Sequence, residues 1–541
     1  MITVENYNGF PQQIPPWGVA QPPSTPPLRV IGTKRDFIFA LLILLLSLLA
    51  VNFYLWGNCG IGAAVVSIAL HFSGLLYIRT NRTKYSIYAM TCTLLYVLCA
   101  ASFVFSDNFF GKLCTIAIML LLSGTVIMEA LQLRRWKAGT FLAIGDLCNT
   151  VFSYSFGSIG AVFYAFFHRK NESGEVQKRR VGGVLLGIAC AIPALLIIVP
   201  LLSSADIAFE GLTSSLSLES SGEFFGTLLL GFALFLLFFG QHFAAKRSSR
   251  PQQEEVIRHN GLDPTAIIAF LSVISTVYML YLFSQLAYFF SAFSGLLPKN
   301  FSVAQYARRG FFEMVTICLI NLGLVVATLL TVRKKEDKVP LAVRLLSLFV
   351  CVFSLVLIAT SISKMFLYID SFGMTHLRIL TSVFMVFLAV VFCVASITIF
   401  FRKVQYLKIT LLTAAILVAV TGFADLDRVI AKYNVEAYLS GELDCIDMAE
   451  LSILDSDSIV AYVWELRNDA DPYVAQNTYL ILYAKLESHD LATQYSYHST
   501  PVLTKAHYDW RSFNLPNYES FCFLKEHSQE IIDGYCQYVI Q

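Results

Sequence analysis

QLAYFFSAFSGLLPKNFSVAQYARRGFFEMVTICLIN, residues Gln285 to Asn321, places two apolar runs on either side of a short polar hinge. The hinge gathers Arg308, Arg309 and Glu313 beside Tyr306, Phe311 and Phe312. A charged side chain at the centre of a bilayer costs roughly 2.5–3.5 kcal/mol on insertion scales, so three at one helix end need a physical reason. The flanking runs are long enough to cross a membrane, and the same pattern recurs along the chain. Irregular backbone cannot face lipid unsatisfied, so the spanning elements are helices.

Composition agrees. Apolar residues make up 56% of the 541 and charged residues 14%, with a mean hydropathy of +0.64, far from a soluble domain. The net charge of +2 conceals an asymmetry. From Asp425 to the end, 19 Asp and Glu face 7 Lys and Arg, a balance of −12; the first 424 residues hold 18 against 32, a balance of +14. A basic membrane part followed by an acidic tail is what opposite sides of a membrane produce. Basic residues scattered through short loops exclude a nucleic-acid-binding surface.

The first 35 residues carry seven prolines by Pro27 and read as a disordered cytoplasmic tail. Arg29, Lys34 and Arg35 precede the first apolar run and keep the amino end inside. Spans then follow near 37–57, 60–78, 85–105, 113–133, 182–202, 224–243, 265–290, 311–331, 341–362, 379–400 and 408–424, eleven in all. Alternation puts 26 of the first 32 Lys and Arg inside. Only Lys112, Lys299, Arg308, Arg309, Lys364 and Arg378 fall outside. The fold class is therefore all-α: a polytopic transmembrane helical bundle over 36–424, amino end inside, with a small acidic helical domain over 425–541 outside.

One segment does not fit as a span. Residues 138–167 lie between basic clusters that share a side, so they cross twice or not at all. Asp146, Asn149, Thr150 and Ser153 recur at helical spacing, with Ile144, Leu147, Val151 and Phe152 opposite. This predicts an amphipathic helix in the inner interface, with two short re-entrant pieces as the alternative. In the tail, capping signals predict short helices at about 427–439, 447–453, 456–467, 472–488 and 517–533. The twelve cysteines contain no C-x-x-C pair; if the tail is outside the cytoplasm, Cys522 and Cys536 are the closest pair for one disulfide.

Y-A-R-R-G-F-F-E at Tyr306 to Glu313, preceded by SGLLP at Ser294 to Pro298, resembles a domain-of-unknown-function family of bacterial polytopic membrane proteins. GMTHLRILTS at Gly373 to Ser382, DLDRVIAKYNVEAYLSGELD at Asp425 to Asp444 and DWRSFNL at Asp509 to Leu515 resemble the same family. The resemblance covers roughly the last two-thirds of the chain. It implies an architecture in a bacterial cytoplasmic membrane and no activity, substrate or catalytic residue.

Two readings of function follow. Alternation gathers Lys364, Asp370, His376, Arg378, Asp425, Asp427 and Arg428 on the outer side with the hinge. A polar vestibule there would bind or move an amphiphilic or anionic envelope component. Its candidate residues are Gln285, Tyr306, Arg308, Arg309, Glu313, Asn321, Asp370 and Arg378, with Arg308 or Arg309 as the anion clamp. Alternatively, the same charges pin helix ends at the interface, and the bundle is a sensor or scaffold presenting the acidic domain to envelope partners. Glu129 reads as an interfacial partner of Arg134, and His71 and His242 as polar groups satisfied within the bundle. No phosphate loop, zinc-protease or hydrolase motif occurs, and no cofactor or metal is expected: His489, His498 and His507, nine apart, alternate helix faces. The partners expected are the bilayer and an envelope lipid or protein.

Overall fold

A computed structural model describes residues 31–57, 59–81, 83–106, 108–136, 142–170, 176–178, 198, 221–248, 261–293, 311–333, 339–401, 404–493, 502–503 and 513–540. It describes the backbone alone at 166–167, 169–170, 176–178, 221–225, 285–293, 311–312, 502–503 and 540. The expected amino-terminal tail falls almost wholly outside the described residues. So do nearly all of the expected span near 182–202 and the hinge from Ser294 to Gly310.

The chain is an all-α polytopic bundle followed by a helical module. It begins with α1 (Lys34–Val51, extended by a π-helical turn at Asn52–Trp56), α2 (Ile61–Ile78), α3 (Ile87–Ala101) and α4 (Phe109–Ala130). Three short helices come next, α5 (Ala143–Cys148), α6 (Tyr154–Gly157) and α7 (Ile159–Phe167), then a hairpin of β1 (His168–Lys170) and β2 (Val176–Lys178). The bundle continues with α8 (Ser221–Arg247), α9 (Pro264–Phe293), α10 (Phe311–Thr331), α11 (Leu341–Phe372), α12 (His376–Phe400) and α13 (Tyr406–Ala424). Among the described residues, ten of these helices are long and apolar enough to cross a membrane. They correspond to the expected spans other than the one near 182–202.

Four of the span starts are written in the residue before the apolar run. The Thr33 side chain accepts from the Asp36 N–H while Asp36 takes the Thr33 N–H at 2.7 Å, a capping box. Ser86 caps α3 through Ala89 N at 3.1 Å, Asn108 caps α4 through Gly111 N at 2.7 Å, and Thr375 caps α12 through Arg378 N. Each such cap contributes about 1 kcal/mol.

Packing places α1 against α2 and α8, α3 and α4 against α13, and α12 between α13 and α11; α9 and α10 lie on α11. Helix ends meet in two groups. In one, Arg35 reaches Leu76 O at 2.6 Å, Lys84 N donates to Ala130 O at 2.9 Å, and Lys408 lies 3.4 Å from Glu129. In the same group Arg344 reaches Ile399 O at 3.2 Å, and Leu262 N donates to Thr331 O at 2.8 Å. These are the starts of α1, α3, α9, α11 and α13 against the ends of α2, α4, α10 and α12. The other group holds the opposite ends.

The segment over 138–167 differs from expectation in how its helix is turned. Asp146 and Thr150 are buried, Asn149 is half-buried and only Ser153 is exposed; on the other side Leu147 and Val151 are buried while Ile144 and Phe152 are exposed. The polar stripe faces protein because it has work there. The Asp146 carboxylate accepts from Arg135 N and Trp136 N, both at 2.9 Å, closing the turn after α4, and Gln241 of α8 donates to Thr150 O at 3.1 Å. Tyr154, Ala161, Val162 and Ala165 then join the core with Phe239 and Phe243 of α8.

The module comprises α14 (Leu426–Leu439), α15 (Met448–Ser452), a 3-10 turn at Asp457–Ile459, α16 (Val460–Val463), a second 3-10 turn at Trp464–Asn468, α17 (Pro472–Ser488), the short strands β3 (Ala492–Thr493) and β4 (Val502–Leu503), and α18 (Leu515–Tyr535). The expected tail helices match within a few residues. Ile430, Leu451, Ile459, Leu482 and Leu524 form one core, against which Met374 and Ile379 of the bundle also pack. The Cys522–Cys536 disulfide, possible if the tail lies outside the cytoplasm, is not formed: both are free thiols. Cys522 lies on α18 and Cys536 just past its end, a separation of roughly 21 Å at helical rise, beyond any disulfide's reach.

Gly74 lets α8 approach α2. A Cβ there would overlap the imidazole of His242, whose ring is flanked by Phe39 and Phe238. Gly74→Val is expected to lower stability by about 1–3 kcal/mol through overpacking, read as a lower thermal midpoint of the full chain in detergent. An unchanged midpoint would show that this contact has slack.

Candidate functional site

Of the expected vestibule residues, Tyr306, Arg308 and Arg309 lie outside the described residues, as does the side chain of Gln285. Glu313 is exposed in the first turn of α10, where a carboxylate suits the positive end of the helix dipole. Asn321 is fully buried: its Oδ1 accepts from Tyr278 OH at 2.5 Å and its Nδ2 donates to Ser354 Oγ at 2.9 Å, tying α9, α10 and α11 together. Asp370 is exposed near the end of α11. Arg378 donates to Phe372 O at 2.8 Å and to Gly373 O, and its guanidinium lies 4.2 Å over the Tyr368 ring. It thus satisfies carbonyls at the end of α11. Asp370 and Arg378 share one turn between helices, whereas Asn321 sits about 12 Å along α10 from Glu313.

Elsewhere, Glu129 pairs with Arg134 and also with Lys408 of α13 at 3.4 Å. His242 uses Nδ1 on Phe238 O at 2.9 Å. His71 stacks on Tyr96 at 4.1 Å, and its Nε2 has no hydrogen-bond partner among the described residues, so it is less satisfied than expected. His489 pairs with Asp457 at 3.0 Å; His498 and His507 lie outside the described residues.

What the structure does bring together is the seam where the module meets the bundle. The chain leaves α13 through Asp425 in a left-handed conformation (φ 45°), which turns it into α14 within one residue. Such a backbone costs a non-glycine residue about 1–3 kcal/mol, offset where surrounding bonds hold it. The Asp425 carboxylate accepts from Ser456 Oγ at 3.2 Å and Ser458 Oγ at 2.6 Å. Two residues on, Asp427 is completely buried. Its Oδ1 accepts from His376 Nε2, at the start of α12, and from Asn108 Nδ2, at the cap of α4, at 3.0 Å; its Oδ2 accepts from Ser456 N at 2.7 Å. One side chain therefore joins α4, α12, α14 and the turn before Asp457.

A buried charge is tolerated only when paired and hydrogen-bonded, and Asp427 meets both conditions. Burial works to raise its carboxyl, but the hydrogen bonds from His376, Ser456 N and Asn108, with the His376 charge, hold it below the usual carboxylate range. Asp457 repeats the arrangement inside the module: burial opposes its charge, and His489 with Lys485 at 3.1 Å overcomes that and lowers it. Around the seam Glu450 accepts from His376 N at 3.3 Å, and Asn434 clamps Met374 through both main-chain atoms, at 2.6 and 2.9 Å. That clamp sits beside Gly373, whose φ of 75° ends α11. Ile61 N, at the start of α2, donates to Phe513 O at 2.8 Å.

Sequence reasoning placed His376, Asp425 and Asp427 on one side without pairing them. It missed Asn108, Ser456, Ser458, Asp457, Lys485 and Asp36. Asn108 and Asp36 carried a usable signal, a capping residue type at the edge of an apolar run. Ser456 and Ser458 lie in the Asp455–Ser458 stretch read as a helix-start signal, and Ser456 does cap the turn there, but nothing in the sequence pointed them at Asp425.

The seam and most of the bundle coincide with a known family model, described as a domain of unknown function (DUF4153), which matches residues 90–463. The chain belongs to the DUF4153 family. No curated protein and no solved structure matches it. The DUF4153 region begins within α3 and ends with α16, so it contains Asn108, His376, Asp425, Asp427 and Ser456 but not Lys485 or His489. It starts earlier than the resemblance to Tyr306–Glu313 suggested, and stops before DWRSFNL.

Because Asp427 and Asp457 have folded values below their unfolded ones, their stabilisation is present above the unfolded carboxylate value of about 3.9 and is lost as pH falls through the folded values. The thermal midpoint of the full chain in detergent is expected to drop below about pH 4, and Asp427→Asn to flatten part of that drop while lowering the midpoint at neutral pH. A variant matching the natural chain at every pH would show that Asp427 is not charged in the seam.

Proposed function

We propose that this DUF4153 protein is a multi-pass protein of the bacterial cytoplasmic membrane that acts as a sensor or scaffold, its bundle holding the carboxy-terminal helical module in a fixed attitude toward envelope partners. The reading rests on the seam. A fully buried charge, Asp427, joins two spans to the module rather than lining a passage through the bundle. A module serving only as a loose appendage would gain nothing from a buried carboxylate, since apolar contact would hold it at lower desolvation cost.

Sidedness supports the same reading. The group of helix ends carrying Arg35, Arg344 and Lys408 is the one that the positive-inside rule assigns to the cytoplasm, which leaves the seam and module outside. Transport of an amphiphilic anion through the Tyr306–Glu313 hinge is the competing proposal. Asn321 and Arg378, two of its candidates, are already bonded within the protein.

Comparing variants in the native host separates the two. Deleting 426–541 and Asp427→Ala are expected to reproduce the phenotype of losing the whole chain, while Arg309→Ala, inserted at normal level, behaves as the natural protein. Loss of function in Arg309→Ala, with the module deletion silent, would replace the scaffold by the transporter.

A further inference from the structure

At the end of the bundle away from the module, where α1 starts and α2 and α8 stop, positive charge exceeds negative among the described residues. Asp36 is buried and bonded to Thr33 N at 2.7 Å, Thr33 Oγ1 at 2.8 Å, Tyr77 OH at 2.6 Å and Arg247 Nη2 at 2.5 Å. Arg35 is exposed and turns one nitrogen, Nη2, to Leu76 O at 2.6 Å and Arg79 O at 3.2 Å. Lys246 lies 3.9 Å above the Tyr77 ring, repelled by Arg35 and Arg247 and attracted by Asp36. Among the described residues, three cations therefore face one carboxylate, a surplus of two. Lys34 and Arg79, both exposed, add to it.

Crowding of like charge at a helix junction is unfavourable unless an anion shares it. The surface next to the charges says which kind. Ile38, Leu41 and Leu45 stand exposed at 71, 72 and 55%, spaced three and four residues apart down one face of α1, and Leu76 of α2 is 63% exposed. A guanidinium and an ammonium side by side suit a phosphodiester, the guanidinium by paired donors and the ammonium as a point charge. An apolar stripe running on from them suits acyl chains. A free phosphate would use the first feature and not the second.

We propose that the corner formed by α1, α2 and α8 binds an anionic phospholipid, its phosphodiester bridging Arg35 and Lys246 and its acyl chains lying along Ile38, Leu41 and Leu45. Basic pockets between spans on the cytoplasmic side are where such headgroups are enriched. Binding closes the charge surplus and fastens α8 to α1 and α2. The site is independent of the seam, which lies at the opposite helix ends.

The test is thermal unfolding of the full chain, delipidated in neutral detergent and titrated separately with phosphatidylglycerol, phosphatidylcholine and inorganic phosphate. Phosphatidylglycerol is expected to raise the midpoint by several degrees and the other two not to. The double variant Arg35→Gln/Lys246→Gln loses that rise while keeping its midpoint in phosphatidylcholine, and Asp427→Ala keeps the rise. An equal rise with phosphatidylcholine, or a rise surviving in the double variant, overturns the site. The same rise with inorganic phosphate overturns the lipid as its occupant. If the double variant does not fold, Lys246→Met and the comparison of the two lipids on the natural chain decide.

Discussion

A carboxylate with no access to water, placed where helices emerge from a bilayer, has few tolerable states. Asp427 occupies one of them: an imidazole, an amide and a main-chain N–H converge on its two oxygens from α12, α4 and the turn before Asp457. Removing one partner leaves a buried charge uncompensated, at a cost of about 3–5 kcal/mol. The positions of α4, α12 and α14 are therefore mutually conditional. The left-handed turn at Asp425, the Asn434 clamp on Met374 and the packing of Ile379 on the module core are all geometry that keeps this carboxylate supplied.

The opposite ends of the helices are held differently. There the ties are main-chain carbonyls capped by Arg35 and Arg344 and paired carboxylates at Asp36 and Glu129, with cations in excess among the described residues. On the proposed sidedness, positive charge kept on one side for insertion is partly reused as structure and partly left for the membrane. The contrast gives the molecule two unlike faces. One is closed by protein, and the other carries the proposed site for an anionic headgroup.

Most of the fold was legible because apolar runs of spanning length have no other stable use, and because Asp471 before Pro472 announces a helix start in residue type alone. The tail helices were readable for the same reason. Side-chain direction was not. The stripe of Asp146 and Thr150 has the spacing of a solvated face, yet the Asp146 carboxylate accepts from Arg135 N and Trp136 N and Thr150 Oγ1 donates to Asp146 O. Cys522 and Cys536 looked close in sequence and were separated by the helix between them. Asn321 and Arg378 were candidates as polar residues in and beside spans; in the structure Asn321 bonds to Tyr278 and Ser354, and Arg378 donates through Nη1 to Phe372 O and Gly373 O. The pairing of His376 with Asp427 spans 51 positions and depends on how α12 and α14 meet, which no single stretch of sequence encodes.

The tie between His376 and Asp427 is tested most directly by a double-mutant cycle on the stability of the full chain, using His376→Ala, Asp427→Ala and the pair. The two substitutions are expected to be strongly non-additive, with a coupling of about 1–3 kcal/mol, because either one alone already breaks the same bond. Additivity within about 0.5 kcal/mol would mean that the two side chains act independently, and that the module is joined to the bundle by something other than this buried pair.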